Sequence, residues 1–208
     1  PSVGAMREHG HSDEEVRARI NGPTRAFYLR DMIYGGIDGA VTTFAIVAGV
    51  VGAGMSPRVI IALGIAKVLA DGFSMAAANY SGTKADQDNA RRLREIERRH
   101  IAEEPDGERR ELREILRAKG LTGTILERAT DAIAADEKRW IDLMLVDEYG
   151  LSPVEPHPMR AAMATFFAFL AAGMVPLLPF LFALSDPFTL SLAATGVAVA
   201  FALLCALL

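Results

Sequence analysis

A single cysteine, Cys205, in a chain of 208 residues excludes a disulfide framework and leaves no thiolate pair for a cysteine-based metal centre. It lies inside the last apolar run and reads as packed or lipid-facing filler. Excess positive charge is missing too. The formal net charge is −4 and no basic stripe with interleaved aromatics occurs, so the chain carries no footprint for nucleic acid. The N-terminal stretch has no short apolar core followed by a small-residue cleavage site, so the first hydrophobic span is expected to direct membrane insertion itself. The most informative absence is local. Although 23% of residues are charged, they crowd into 7–31 and 84–160, while 32–56, 59–80, 161–185 and 187–208 carry almost no charge.

Each of those four runs is long enough to cross a hydrocarbon core of about 30 Å, which takes about 20 apolar helical residues. A soluble chain of 208 residues cannot bury four such helices on all sides. The sequence therefore predicts an all-α, polytopic membrane protein with four spans. Orientation follows from the basic residues near the span ends. Arg17, Arg19, Arg25 and Arg30 precede span one, Lys84, Arg91, Arg92 and Arg94 follow span two, and Arg160 precedes span three, whereas the two other connections hold only Arg58. The N-terminus and 84–159 are thus expected on the cytoplasmic side. The resulting division is 1–24 as a cytoplasmic tail, 25–83 as spans one and two, 84–159 as a cytoplasmic helical domain, and 160–208 as spans three and four.

Residues 1–11, with His9 and His11, read as a tail, and Ser12 to Glu15 has the form of a capping box opening a short polar helix that Asn21-Gly22-Pro23 ends. Arg25 to Asp31 leads into span one. Residues 84–101 read as a continuation of span two, ended by the turn Glu104-Pro105-Asp106-Gly107. A second helix is expected from Glu108 to Lys119 with Gly120 at its cap, and a third from the Thr124–Glu127 capping box to Gly150. The cytoplasmic unit is then a small three-helix domain. In span three, Pro176 and Pro179 predict a kink whose freed carbonyls need protein or water partners.

Candidate chemistry starts with Asp38. An acid at membrane depth costs roughly 2.5–3.5 kcal/mol, so it is a functional candidate facing protein or an aqueous path, unless it reaches the interface or caps a break at Gly35-Gly36. Gly35 and Gly39 form a small-xxx-small pair that admits another helix closely. In span two, Lys67, Asp71 and Met75 share one helix face, which gives either a neutralised ion pair with a packing methionine or a carboxylate and thioether suited to Fe²⁺. In the cytoplasmic unit, Glu97, His100 and Glu104 share a face, as do Glu108 and Glu111, and Met144 and Glu148. Converged, they form a divalent-metal site for Fe²⁺, Mn²⁺ or Zn²⁺. The alternative is a solvated charged bundle in which Arg98, Arg99, Arg109, Arg110 and Arg113 pair with the acids.

The stretch RDMIYGGIDGAVTTFAIVAGVVGAG, then KVLADGFSMAAANYSGTKADQD, a Glu-rich insert ending in WIDLMLVDEYGL, and ATFFAFLAAGMVPLLPFLF together resemble the vacuolar iron transporter family in its bacterial branch. The resemblance covers about residues 25–208; its most specific parts are Asp-Gly-x-x-Thr-Thr in span one and Ala-Asp-Gly-x-Ser-Met in span two. It implies a homodimeric protein of the bacterial cytoplasmic membrane that exports Fe²⁺, and in some members Mn²⁺, from the cytosol in exchange for protons, through a path at the dimer interface. No covalent bond changes, so no enzymatic activity and no permanently bound cofactor are expected. On the residues, the resemblance implies that Asp38 and Met75 lie along the path. It implies that Glu97, His100, Glu108, Glu111, Met144, Leu145 and Glu148 hold the cytoplasmic metal positions. His100 stands where the family has a glutamate, Leu145 replaces another acid, and Lys67 falls where a pathway acid occurs. The family has five spans, and this chain ends with its fourth. A membrane-anchored metal-binding or sensing module without transport is the alternative function, and a scaffold that recruits a partner is a third.

Overall fold

The computed structural model describes residues 12–21, 28–154 and 156–207, and every regular element among them is helical. In chain order these are α1 (Asp13–Asn21), α2 (Leu29–Gly52), α3 (Pro57–Glu103), α4 (Pro105–Ala118), α5 (Gly123–Ala134), α6 (Glu137–Asp147), α7 (Pro158–Met174), a 3-10 turn (Val175–Leu177), α8 (Leu178–Leu181) and α9 (Pro187–Leu207). The capping box forms: Ser12 Oγ donates to Glu15 Oε2 at 2.5 Å and the backbone N–H of Glu15 donates to Ser12 Oγ at 3.4 Å. The expectations for 1–11, for Gly22-Pro23 and for Arg25 lie outside the described residues.

Among the described residues, four helical stretches are long and apolar enough to cross a membrane: Leu29–Gly52, the first part of Pro57–Glu103, Pro158–Leu181 and Pro187–Leu207. The 24 residues of α2 measure roughly 36 Å at about 1.5 Å per residue, enough for the hydrocarbon layer. Without a hydrophobic drive between helices in lipid, their association needs close packing, and small residues supply it. At Gly35 an added Cβ would lie 2.7 Å from the carbonyl oxygen of Thr165, and at Gly39 one would lie 2.5 Å from that of Phe169. Backbone therefore meets backbone between α2 and α7. Helix α3 packs onto the same helix through Gly64, which faces Leu177, and Gly72, which faces Phe169 and Leu170. The core enclosed this way holds Val47, Val50, Ile60, Val68, Phe169 and Leu177.

The two prolines break span three as expected. Val175 N–H donates to Ala172 O and Leu178 N–H to Val175 O, so the carbonyls released by Pro176 and Pro179 are taken up by tighter 3-10 bonds. From α9, Ser191 Oγ donates to Pro176 O at 2.8 Å. Helix α9 otherwise turns most of its surface outward, as an apolar helix does in lipid.

Helix α3 runs 47 residues without interruption, so its second half leaves the apolar layer and becomes one wall of a polar lobe completed by α4, α5 and α6. Three boundaries differ from expectation. Helix α4 starts at Pro105, because proline at the first helical position has its φ already set and Asp106 and Glu108 suit the first turn. The expected third helix is two, since the Asp136 side chain accepts from Arg139 N–H at 3.2 Å and opens α6 afresh. The Thr124–Glu127 pair caps nothing: α5 begins at Gly123, after Thr122. The lobe thus has four helical walls rather than three, around Leu112, Leu116, Leu126, Trp140 and Met144.

Gly39→Ala is expected to destabilise the chain by about 1–3 kcal/mol through overpacking against α7. Gly196→Ala, where an added Cβ meets nothing within 4 Å, is neutral or slightly stabilising. Thermal unfolding in detergent compares the two; equal midpoints would refute the backbone contact.

Candidate metal centre

Two polar stripes face each other in the spans. On α2, Asp31, Tyr34, Asp38 and Thr42 recur at three- and four-residue spacing, and on α3 so do Lys67, Asp71, Met75 and Asn79. Asn79 Nδ2 donates to Asp31 Oδ1 at 3.0 Å and to Thr165 Oγ1 of α7 at 2.7 Å. At the other end Lys67 Nζ donates to Thr42 Oγ1, which itself donates to the Asp38 carbonyl at 2.6 Å. These cross-helix bonds set an antiparallel register that puts Asp38 level with Asp71, with Met75 about one turn nearer Asn79.

Lys67 is held on three sides. Its ammonium lies 3.1 Å from Asp71 Oδ2 and 4.9 Å from the centre of the Phe169 ring, and only 15% of the side chain is exposed, whereas Asp71 is 50% exposed. Met75 lines a cleft of about 220 Å³ together with Arg30, Asp31, Tyr34, Asn79 and Thr165. The acid that shares this cleft with the thioether is Asp31, and Asp38 sits half-buried farther along the stripe. The Gly35 and Gly39 face receives α7 from the same chain, and Asp38 lies beside that contact rather than beneath it.

In the lobe the structure brings Glu97, His100 and Glu108 together. Glu97 is 1% exposed and Glu108 6%. Their first oxygens are engaged: Tyr149 Oη donates to Glu97 Oε1 at 2.7 Å, and His100 Nδ1 lies 3.3 Å from Glu108 Oε1. Their second oxygens, Glu97 Oε2 and Glu108 Oε2, are buried without any hydrogen-bond partner. The arginines do not neutralise them. Arg98 pairs with Glu137, Arg109 with Asp131 and Arg113 with Glu127, and among the described residues no arginine or lysine forms an ion pair with Glu97 or Glu108. For Glu108 this state favours the protonated form. Burial first, then the neighbouring Glu97 and Glu111 charges, push the Glu108 carboxyl up to about 7, with His100 opposing. Glu148 is raised by burial and by Glu97 and Glu111, and the Tyr149 phenol is raised by burial and its bond to Glu97.

The other predicted ligands are more dispersed. Glu111 and Glu148 lie at the surface, Glu148 partly desolvated against the lobe, and share a shallow cleft with Arg110, Glu114 and Ile115, close enough to act on Glu108 through their charge. Glu104 is exposed at the corner between α3 and α4. Met144 is fully buried in the lobe's apolar core, and Leu145 is buried beside Ile141. Among the described residues, no three histidine, cysteine, aspartate or glutamate side chains stand close enough to enclose a metal ion. What the structure shows is two buried carboxylate oxygens without a hydrogen-bond partner, with the His100 imidazole 3.3 Å from the other oxygen of Glu108. Sequence reasoning missed Tyr149, Asp31, Asn79 and Thr165. Asn79 is legible one turn past Met75 and Asp31 two turns before Asp38, but Tyr149 carries no spacing signal at all.

The VIT family model matches residues 29–208. A vacuolar iron transporter 1 of Eucalyptus grandis is 34% identical over 182 residues, covering 86% of this chain and 71% of that protein. One of Tulipa gesneriana is 33% identical over 172 residues, 82% of this chain and 68% of that protein. A vacuolar iron transporter 2 of Oryza sativa subsp. japonica is 30% identical over 185 residues, 85% and 74% respectively. The chain belongs to the VIT family.

The raised Glu108 carboxyl has a consequence for stability. Between its unfolded value near 4.5 and its folded value of about 7, the folded chain holds a proton that the unfolded chain has lost, so stability contributed by this group falls as pH rises through that window. Metal-free protein should melt at lower temperature at pH 8 than at pH 5.5, and Glu108→Gln should flatten the difference; an unchanged slope in the variant would contradict the assignment.

Proposed function

We propose, from membership of the VIT family and the geometry of the lobe, that this chain moves a divalent metal cation, Fe²⁺ or Mn²⁺, across the membrane in exchange for protons. The observation that carries the reading is the pair of buried, unpartnered oxygens Glu97 Oε2 and Glu108 Oε2 beside His100. A divalent cation satisfies both oxygens at once and displaces the proton that Glu108 otherwise holds near neutral pH, so binding metal and releasing protons are one event. Glu111 and Glu148 add negative field that favours cation capture, with Glu104 and Met144 as outer members of the proposed set.

The basic residues around 84–94 and Arg160 favour the lobe and the N-terminus on the cytosolic side, which in a bacterium makes this the cytoplasmic membrane and the movement an export. Metal leaving the lobe meets the cleft of Asp31 and Met75 and then the level shared by Asp38 and Asp71. Asp71 is half exposed on the flank of a membrane helix, a position that calls for cover by protein or water. A second copy of the chain against this flank provides that cover and places the path between two subunits. Transport makes and breaks no covalent bond, so no catalytic residue is assigned.

One observation favours a second reading, a membrane-anchored metal-binding module without transport. Lys67 sits one turn beyond the Asp38 and Asp71 level and its ion pair occupies the Asp71 carboxylate, which leaves that acid less able to receive a divalent cation. Fe²⁺ uptake by proteoliposomes carrying a trapped pH indicator separates the two. Wild type should show flux with proton counterflow, Asp38→Asn should lose most of it while remaining folded, and metal binding with no flux would leave the anchored module.

A further inference from the structure

Tyr149 is not among the ligands that helical spacing singles out, yet it stands inside the acid cluster. Where α6 ends, Gly150 adopts φ +66° and Leu151 N–H closes back on the Leu145 carbonyl at 3.0 Å, a left-handed helix stop that only glycine makes without strain. That stop directs the Tyr149 ring against α3, where its hydroxyl meets Glu97 Oε1 at 2.7 Å. A phenol has one proton to donate, and although the Glu148 carboxylate also reaches the Tyr149 hydroxyl, the 2.7 Å bond goes to Glu97. Glu97 consequently has one oxygen engaged and the other, Oε2, buried and unpartnered.

We propose that Tyr149 is the positioning residue of the metal centre: its hydrogen bond holds the Glu97 carboxylate so that Oε2, and not Oε1, is offered to the divalent cation. The proposal rests on the reading above that Glu97 and Glu108 hold metal. A glutamate turns easily about its last torsion, and a donor fixed on one oxygen removes that freedom. The phenol does so without bringing a charge that competes for the cation. Carboxylates that ligate metals are themselves hydrogen-bonded, and loss of such an outer partner typically costs 10–100-fold in affinity. No lysine or arginine among the described residues forms an ion pair with Glu97, and His100 Nδ1, 4.0 Å from Glu97 Oε1, stands nearer to Glu108 Oε1 at 3.3 Å, so Tyr149 is the closer donor to Glu97.

The test is Co²⁺ titration of the full chain in detergent, followed by calorimetry and by the visible absorption of the bound ion, for wild type, Tyr149→Phe, Glu97→Gln and Glu108→Gln. Phenylalanine keeps the ring and its packing, and the melting temperature of the metal-free variant reports any purely structural loss. The expected result is Co²⁺ affinity lowered by about 10–100-fold in Tyr149→Phe, with a changed visible spectrum that reports altered coordination. Wild-type affinity and spectrum in Tyr149→Phe, with or without a lower melting temperature, would overturn the positioning role while both glutamate variants still lose the ion. If wild type fails to bind Co²⁺, or both glutamate variants bind as wild type does, the metal-centre reading itself falls, and the proposal with it.

Discussion

Everything in the membrane half depends on how closely two backbones approach. The Gly39 contact with the Phe169 carbonyl oxygen leaves no room for a side chain, and it is this contact that joins α2 to α7. Once α7 is seated, it presents Phe169, Leu170 and Leu177 to the glycines of α3, so the third helix docks on the same surface. Only then do the polar stripes of α2 and α3 face each other, with Asn79 reaching both Asp31 and Thr165 and Lys67 reaching Thr42. In lipid such hydrogen bonds cannot drive assembly alone, but they specify register once packing has brought the helices together.

The polar lobe is governed by an opposite economy. Its arginines are numerous, yet they are committed to Glu137, Asp131 and Glu127 across helix pairs, where exposed ion pairs contribute little stability individually. The two acids that lie deepest, Glu97 and Glu108, are left with neutral or weakly charged partners. Burying carboxylates that way is costly unless a proton or a cation completes them. The lobe therefore stores an unmet demand for positive charge at one place, and the long helix α3 that carries Glu97 there also carries Asp71 within the apolar layer.

Legibility differed by the kind of signal. Charge segregation revealed four spans, and the helical continuation through residues 84–101 was readable because no breaker occurs before Glu104-Pro105. The capping box at Ser12 and the kink at Pro176 and Pro179 were readable for the same reason, since each is a local rule written in a few residues. The break at Ala135–Asp136 was not, because an aspartate caps a helix only when the backbone before it has already turned. The pattern Thr124–Glu127 matched a capping box, and the structure starts α5 two residues earlier, after Thr122, on a glycine with φ +57°. Helical spacing placed Glu97 with His100 on one face and Glu108 on the next helix, whereas the Tyr149 contact with Glu97 became visible only when α6 was folded back onto α3.

By itself, the order of residues determined that this is a helical membrane protein with a charged lobe, which acids share a helix face, and where helices stop on glycine and proline, because periodicity and local capping act within a few residues. Tertiary structure alone decided which acid shares a cleft with Met75, which arginines are already spent, and which carboxylate oxygens remain without partners. Those outcomes depend on residues tens of positions apart meeting at ångström distances, and no spacing rule along one helix encodes the rotation at which a second helix docks.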